Sequence, residues 1–239
     1  EEHALLRAAV RDLAAGFGHA YYAECARAGK KTDELWQAVA DHGFLGVHLP
    51  TEYGGGGAGM AELAIVCEEL AAQGCPLLLI LVSPAICAEL VAAFGTPDQR
   101  DRWLPGLAAG DRMAFAITEP DAGSDAAAVK TRATRTEGGW LVNGRKVWNS
   151  ASQWSHYVVA LVRTGQVLRL AQLLSPKTPV PSHRCGLQHE QPGVVRLGVV
   201  FRHDGHDRDR CHAREPIGRA ARNSGDPVAW LQSGTGVAG

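Results

Sequence analysis

The chain changes its hydrophobic period once, near Met113, and that change limits what it can fold into. Before it, apolar residues recur at three- and four-residue spacing, as in helices that bury one face. After it, small or apolar residues alternate with charged ones, as in half-buried strands. A run of helices followed by a run of strands predicts an α+β protein. The expected order is an all-α helical bundle over residues 1–112, then an antiparallel β-barrel-like domain over 113–192. An irregular tail over 193–239 follows.

Local signals place the helices. Thr32 is the expected N-cap of one helix, with Asp33 and Glu34 favoured near its positive end. Leu35, Ala38, Val39 and His42 follow at helical spacing, and Gly43 supplies a left-handed stop. A second helix is expected over Met60–Gln73. Leu63, Val66, Cys67, Leu70 and Ala71 would face inward, Glu62, Glu69 and Gln73 outward, with Gly74 as the stop. Ser83-Pro84 reads as a helix start, a capping hydroxyl before a first-turn proline, with Phe94 as the end and Gly95 as the stop. The segment from Leu104 to Gly110 is expected to join the helical part to the strands. Between helices lies P-T-E-Y-G-G-G-G-A-G, Pro50 to Gly59. No Gly-Lys-Ser/Thr follows it, so it reads as a connecting loop and not a phosphate cradle.

In the middle segment Val129 to Thr136 reads V-K-T-R-A-T-R-T, rich in threonine and alternating. Glu137-Gly138-Gly139 is an expected turn, followed by a strand at Trp140-Leu141-Val142. Asn143-Gly144 is a two-residue hairpin signal, with Lys146-Val147-Trp148 as the returning strand. Tyr157–Val162 is a continuous apolar strand.

Composition excludes several function classes. A formal net charge of -1 gives no basic field for nucleic acid. The longest apolar stretch, Pro76 to Val82, is far short of the roughly 20 residues needed to span a bilayer. Nothing at the start reads as a secretory signal, and the start at Glu1 and not Met suggests that earlier residues are missing. Six cysteines without a CxxC pair read as reduced thiols of a cytoplasmic protein.

Chemistry-bearing residues gather between Ala114 and Ser150. Thr118 and Ser124 carry hydroxyls, and Gly123 allows close backbone approach. Trp148 offers a flat apolar surface on which an aromatic ring could stack. These are the groups that a neutral planar cofactor with polar edges requires. Taken alone, Thr118-Glu119-Pro120-Asp121 also fits a turn, and Trp148 a core position.

Four ordered pieces carry a resemblance. They are E-L-W-Q-A-V-A-D-H-G-F-L-G-V-H-L-P-T-E-Y-G-G-G-G, G-T-P-D-Q-R-D-R-W-L-P-G-L-A-A-G, F-A-I-T-E-P-D-A-G-S-D and L-V-N-G-R-K-V-W-N-S. Together they resemble the acyl-CoA dehydrogenase family from about Trp36 to Thr164. The resemblance implies a helical domain, then a β-barrel, then a C-terminal helical domain, with FAD between the last two and an oligomer completing the site. It implies α,β-desaturation of an acyl-CoA thioester, with an electron-transfer flavoprotein as acceptor. An acyl-CoA oxidase or flavin monooxygenase of the same fold is an alternative.

By position, the resemblance places Phe115, Ala116, Ile117 and Thr118 at the pyrimidine edge of the flavin. Gly123 and Ser124 would lie by the pyrophosphate, with Ser124 also near the acyl-CoA. Trp148 would pack on the isoalloxazine, beside Asn149 and Ser150. Ser150 stands where the family has threonine, keeping the hydroxyl, and Asn149 stands where it has an apolar residue. The catalytic glutamate belongs to the C-terminal helical domain, which the remaining residues do not match; no catalytic residue is assigned, and Glu119 is taken as structural. The chain alone is expected not to turn over, and a non-catalytic partner in a flavoprotein oligomer is the second reading.

After Thr164 the motifs thin out. Residues 1–164 carry 14 basic and 19 acidic side chains; residues 165–239 carry 10 and 6, with half of the histidines. F-R-H-D-G-H-D-R-D-R-C-H-A-R-E-P has neither period. Such composition is expected of a shifted reading frame, placed between about Thr164 and Gly193, in a truncated product. His183, Cys185, His189, His203, His206, Cys211 and His212 are metal-ligand types, but their spacing fits no ordinary zinc pattern, so no metal is expected.

Overall fold

The computed structural model describes residues 1–136, 139–165, 167–174, 187–188 and 195–200. The chain divides into two compact units, Glu1–Met113 and Ala114–Gly239.

The first unit is helical. Its elements are α1 (Glu2–Ala15), α2 (Gly18–Arg27), α3 (Asp33–Asp41), α4 (Met60–Ala72), α5 (Leu79–Val82), α6 (Glu89–Phe94) and α7 (Pro97–Ala108). Leu35, Trp36 and Val39 of α3, Leu63, Val66 and Leu70 of α4, and Val10 and Ala14 of α1 share one core. Truncating one such leucine to alanine would cost about 2–5 kcal/mol.

Glycine stops three of these helices in the same way. After α3, Gly43 has φ 75°, its amide donates to Ala40, and the Phe44 amide donates to Val39. Gly74 does this after α4 and Gly110 after α7, which satisfies the terminal carbonyls. Gly95 differs from that pattern: its backbone is extended, and a Cβ there would lie 2.4 Å from the Val91 carbonyl. Glycine is required at this position by close approach and not by a left-handed turn. Thr32 occupies the N-cap of α3 without a side-chain capping bond. Thr96 caps α7 fully: its hydroxyl accepts from the Gln99 amide and the Gln99 side chain accepts from Thr96.

Ser83-Pro84 does not start a helix. The helix begins at Leu79, and Ser83–Ala88 forms a π-helical stretch between α5 and α6. Proline lacks the amide that the preceding turn needs, so the ladder widens there and does not break. The Ser83 hydroxyl accepts from the Met113 amide at 2.9 Å. Leu104–Ala108, expected as a connector, belongs to α7.

Glu69 also departs from expectation. It is 6% exposed, and Arg7 and Arg11 of α1 hold its carboxylate at 2.9 and 3.1 Å. Ala71, expected inward, is exposed. The arginines bridge α1 and α4 through this carboxylate.

The glycine amides of the loop at 50–59 are all engaged within the chain and none is left for a phosphate. The amides of Gly54, Gly55, Gly56, Gly57 and Ala58 donate to carbonyls of Thr51, Pro50, Gly46, Leu49 and Val47. That of Gly59 donates to the Glu62 carboxylate. A Cβ on Gly55 would meet the Leu49 carbonyl at 2.1 Å, which explains the glycine run as packing.

Strand β1 (Met113–Ala116) bridges the two units, and the second unit holds β2 (Arg132–Thr136), β3 (Gly139–Lys146), β4 (Tyr157–Thr164), β5 (Val167–Leu174), β6 (Leu187–Gln188) and β7 (Val195–Val200). The sheet order is β1-β4-β2-β3-β7-β6, with β5 also on β4. Most ladders are antiparallel, but β2 meets β4 in parallel at Arg132↔Arg163, so the sheet is mixed.

Asn143-Gly144 is not a hairpin. It lies inside β3, with Asn143 opposite Arg132 and Gly144 opposite Leu197. A Cβ on Gly144 would sit 2.2 Å from the Thr131 hydroxyl oxygen, so glycine serves strand contact there. The β2–β3 pairing closes with Thr136 opposite Gly139; the expected turn at 137–138 lies outside the described residues. The irregular tail expected over 193–239 is corrected at Val195–Val200, which pair with β3 as strand β7; the candidate metal ligands and residues 201–239 lie outside the described residues. No helix among the described residues is long and apolar enough to cross a membrane.

Candidate functional site

Alternation along β3 sends Val142 and Lys146 inward and Asn143 and Arg145 outward. Lys146 is thereby wholly buried. Its Nζ donates to the Ile117 carbonyl at 2.9 Å and lies 2.8 Å from Glu119 Oε1. The Glu119 carboxylate also accepts from the amides of Lys130 at 2.6 Å and Thr131 at 2.8 Å. Burial works against ionising Glu119, but Lys146 and these amides outweigh it and bring its pKa down to about 2. Burial pushes the Lys146 ammonium below the usual lysine range, against the pull of Glu119.

Backbone bonds extend this junction. The Val147 amide donates to Thr118 at 3.0 Å, and Glu119 and Ala122 exchange amide bonds that close the turn before Gly123. The segment after that turn is clamped from β4: Arg163 donates through Nε to Val129 at 2.7 Å, through its guanidinium to Ala127, and through its amide to Thr131.

The expected site residues fall around this junction. Phe115 is half-buried and Ala116 buried on β1; Ile117 and Thr118 follow it and are half-buried. Gly123 and Ser124 are exposed, and nothing lies within 4 Å of a Cβ built on Gly123. Trp148 is 83% exposed on backbone with φ 59°, a conformation that bulky residues rarely hold. Trp148 and Ala151 are the non-glycine residues with positive φ among the described ones. Asn149 is buried, Ser150 exposed, and Ser152 and Ser155 buried; Ser155 donates to the Ala151 carbonyl.

Junction and loop together place Ile117–Glu119 against Lys146–Val147, so Thr118 and Trp148 flank one backbone bond. Trp148 is an exposed indole on left-handed backbone, one residue beyond Val147, whose amide bonds the half-buried Thr118. Lys146 and Arg163 were not singled out from sequence. The signal for Lys146 was its place on the inward face of a strand.

Two family profiles cover most of the chain. The acyl-CoA dehydrogenase N-terminal domain matches residues 1–111, and the acyl-CoA dehydrogenase middle domain matches residues 114–192, past Thr164. The chain belongs to the acyl-CoA dehydrogenase family, oxidoreductases acting on CH–CH groups. It is 51% identical over 165 residues to the acyl-CoA dehydrogenase FadE12 of Mycobacterium tuberculosis, covering 69% of this chain and 42% of that protein. It is 31% identical over 169 residues to the long-chain specific acyl-CoA dehydrogenase of Rattus norvegicus, covering 70% and 39%. It thus spans less than half the length of these relatives. The solved glutaryl-CoA dehydrogenase of Mycobacterium smegmatis aligns with TM-score 0.71 at 27% identity, over 83% of this chain and 53% of that one.

Proposed function

We propose that the second unit is the flavin-binding face of an FAD-dependent acyl-CoA dehydrogenase, acting on an acyl-CoA thioester and passing electrons to an electron-transfer flavoprotein. The observation that carries this is Trp148: an exposed indole held on strained backbone beside Thr118. Exposed apolar side chains are ordinary by themselves, but a bulky residue held at positive φ is an outlier of the kind that clusters at ligand sites. Family members are FAD-dependent, and a related glutaryl-CoA dehydrogenase has been solved in complex with FADH2.

Bound FAD would supply the two-electron acceptor for α,β-desaturation. The chain's own residues would bind and orient it: Phe115 to Thr118 at the pyrimidine edge, with the Thr118 hydroxyl as a donor to the ring, and Trp148 against the isoalloxazine. Gly123 and Ser124 would lie by the pyrophosphate, where the glycine leaves room. Ser150, exposed, and Asn149, buried, would follow Trp148 on the same segment. Glu119 does not act as the α-proton base. A carboxylate held by an ammonium and two amides is too weak a base near neutral pH.

The test is reconstitution of the purified chain with FAD, followed by the visible flavin spectrum after gel filtration. A stoichiometric, red-shifted flavin band is expected. A flavin-free chain under excess FAD would refute the assignment.

A further inference from the structure

Glu119 and Lys146 form an ion pair with both side chains almost or wholly out of water. Such a pair is a poor source of stability, since desolvation offsets most of its Coulomb gain and apolar replacements are often neutral. What a buried pair can add is direction: each charged atom bonds in only one or a few geometries. Here the bonds converge on one short piece of chain. Lys146 Nζ fixes the Ile117 carbonyl and the Glu119 carboxylate together. Glu119 in turn fixes the amides of Lys130 and Thr131. One residue beyond Lys146, Val147 bonds Thr118; the next residue is Trp148.

We propose that Lys146 is the positioning residue of the cofactor face. Its ammonium, shared by Ile117 and Glu119, holds the 117–119 backbone in register with the end of β3 and so sets the spacing between Thr118 and Trp148. This rests on the flavin assignment above for the identity of the ligand, but not for the latch itself. Lys146 touches no reacting atom in this role. It acts through the peptide on which Thr118 stands and through the strand that ends at Trp148.

The test compares the wild-type chain with the double variant Lys146→Met, Glu119→Gln. That variant removes both charges, keeps one acceptor for the amides of Lys130 and Thr131, and preserves volume. A cooperative melt and native near-ultraviolet circular dichroism establish that it folds. Two readouts follow: amide hydrogen exchange at Val147, and FAD affinity by flavin fluorescence. Exchange at Val147 at least tenfold faster, with the β2–β3 amides still protected, and FAD bound at least tenfold more weakly, are expected. Unchanged Val147 exchange in the folded variant overturns the latch. Faster exchange with unchanged FAD affinity overturns its role toward the cofactor. A wild-type chain that binds no FAD overturns the flavin assignment, and Val147 exchange still decides the latch. If the double variant fails to fold, Lys146→Arg is measured in the same way: it keeps the charge but not the geometry, and unchanged exchange there overturns the proposal.

Discussion

The amide of Val147 donates to the carbonyl of Thr118 at 3.0 Å, joining the end of strand β3 to the residues that follow β1. Phe115 to Thr118 and Trp148 to Ser150, proposed above for the cofactor face, lie next to that bond in sequence, on one side or the other. Lys146 precedes it with the buried ammonium, and Trp148 follows it with the exposed ring. The site therefore depends on strand register more than on any single side chain.

Trp148→Gly separates the ring from the fold. The indole is 83% exposed, so little burial is lost, while glycine relieves φ 59°. The ligand-free chain should become more stable, by about 0.5–1 kcal/mol, with an unchanged denaturant slope in urea unfolding. Its FAD affinity should fall at least tenfold. A loss of stability would show that the ring is packed.

Gly144→Ala tests the close contact with β2. The new Cβ would stand 2.2 Å from the Thr131 hydroxyl oxygen and 2.7 Å from its Cα, so a rotamer change cannot clear it. Overpacking of this kind costs about 1–3 kcal/mol. Urea midpoints should show that loss; a neutral result would place the glycine in a different register.

Acid should unfasten the second unit through Glu119. Its carboxyl has an ordinary value of 4.5 and about 2 when folded, so the folded state binds fewer protons between those values. Stability from this group is complete above about pH 4.5 and is lost as pH falls toward 2. The gap corresponds to roughly 3 kcal/mol at most, part of it offset by burying Lys146. Urea midpoints from pH 6 to 2 should fall more steeply in wild type than in Glu119→Gln; equal slopes would contradict the pair.

His48 predicts a separate pH dependence in the helical unit. It is buried, and its Nε2 lies 3.2 Å from the Pro84 carbonyl in the π-helical stretch. Burial holds its pKa below the usual 6.5, with Glu89 and the Pro84 carbonyl pulling the other way. A base with a depressed folded pKa contributes stability above about pH 6.5 and loses it as pH falls. His48→Gln should flatten the midpoint between pH 7 and 5, and retention of the wild-type slope would assign it elsewhere.

Much of this fold was legible because its signals were local. Gly43 and Gly74 stop helices as expected, since a left-handed cap needs only the residue itself. Ser83-Pro84 misled because the same dipeptide can start a helix or widen one, and only the apolar turn before it decides. Asn143-Gly144 misled for a similar reason: the register with Arg132 and Gly198 turned a hairpin signal into strand interior. Glu69 and Lys146 were invisible as buried charges, because partners at distant positions make their burial tolerable. The turn at Thr118-Glu119-Pro120-Asp121 was legible from its own residues, whereas the core position that the sequence also allowed for Trp148 is overturned by its exposure.

The most direct measurement is an FAD titration followed through the six tryptophan indole N–H resonances, with Trp148 assigned by Trp148→Phe. Ring current from a stacked isoalloxazine should shift the Trp148 signal upfield, saturating at one FAD per chain, while Trp36, buried in the helical unit, stays in place. Saturation without movement of the Trp148 signal would put the flavin elsewhere and contradict the site assigned to Thr118 and Trp148.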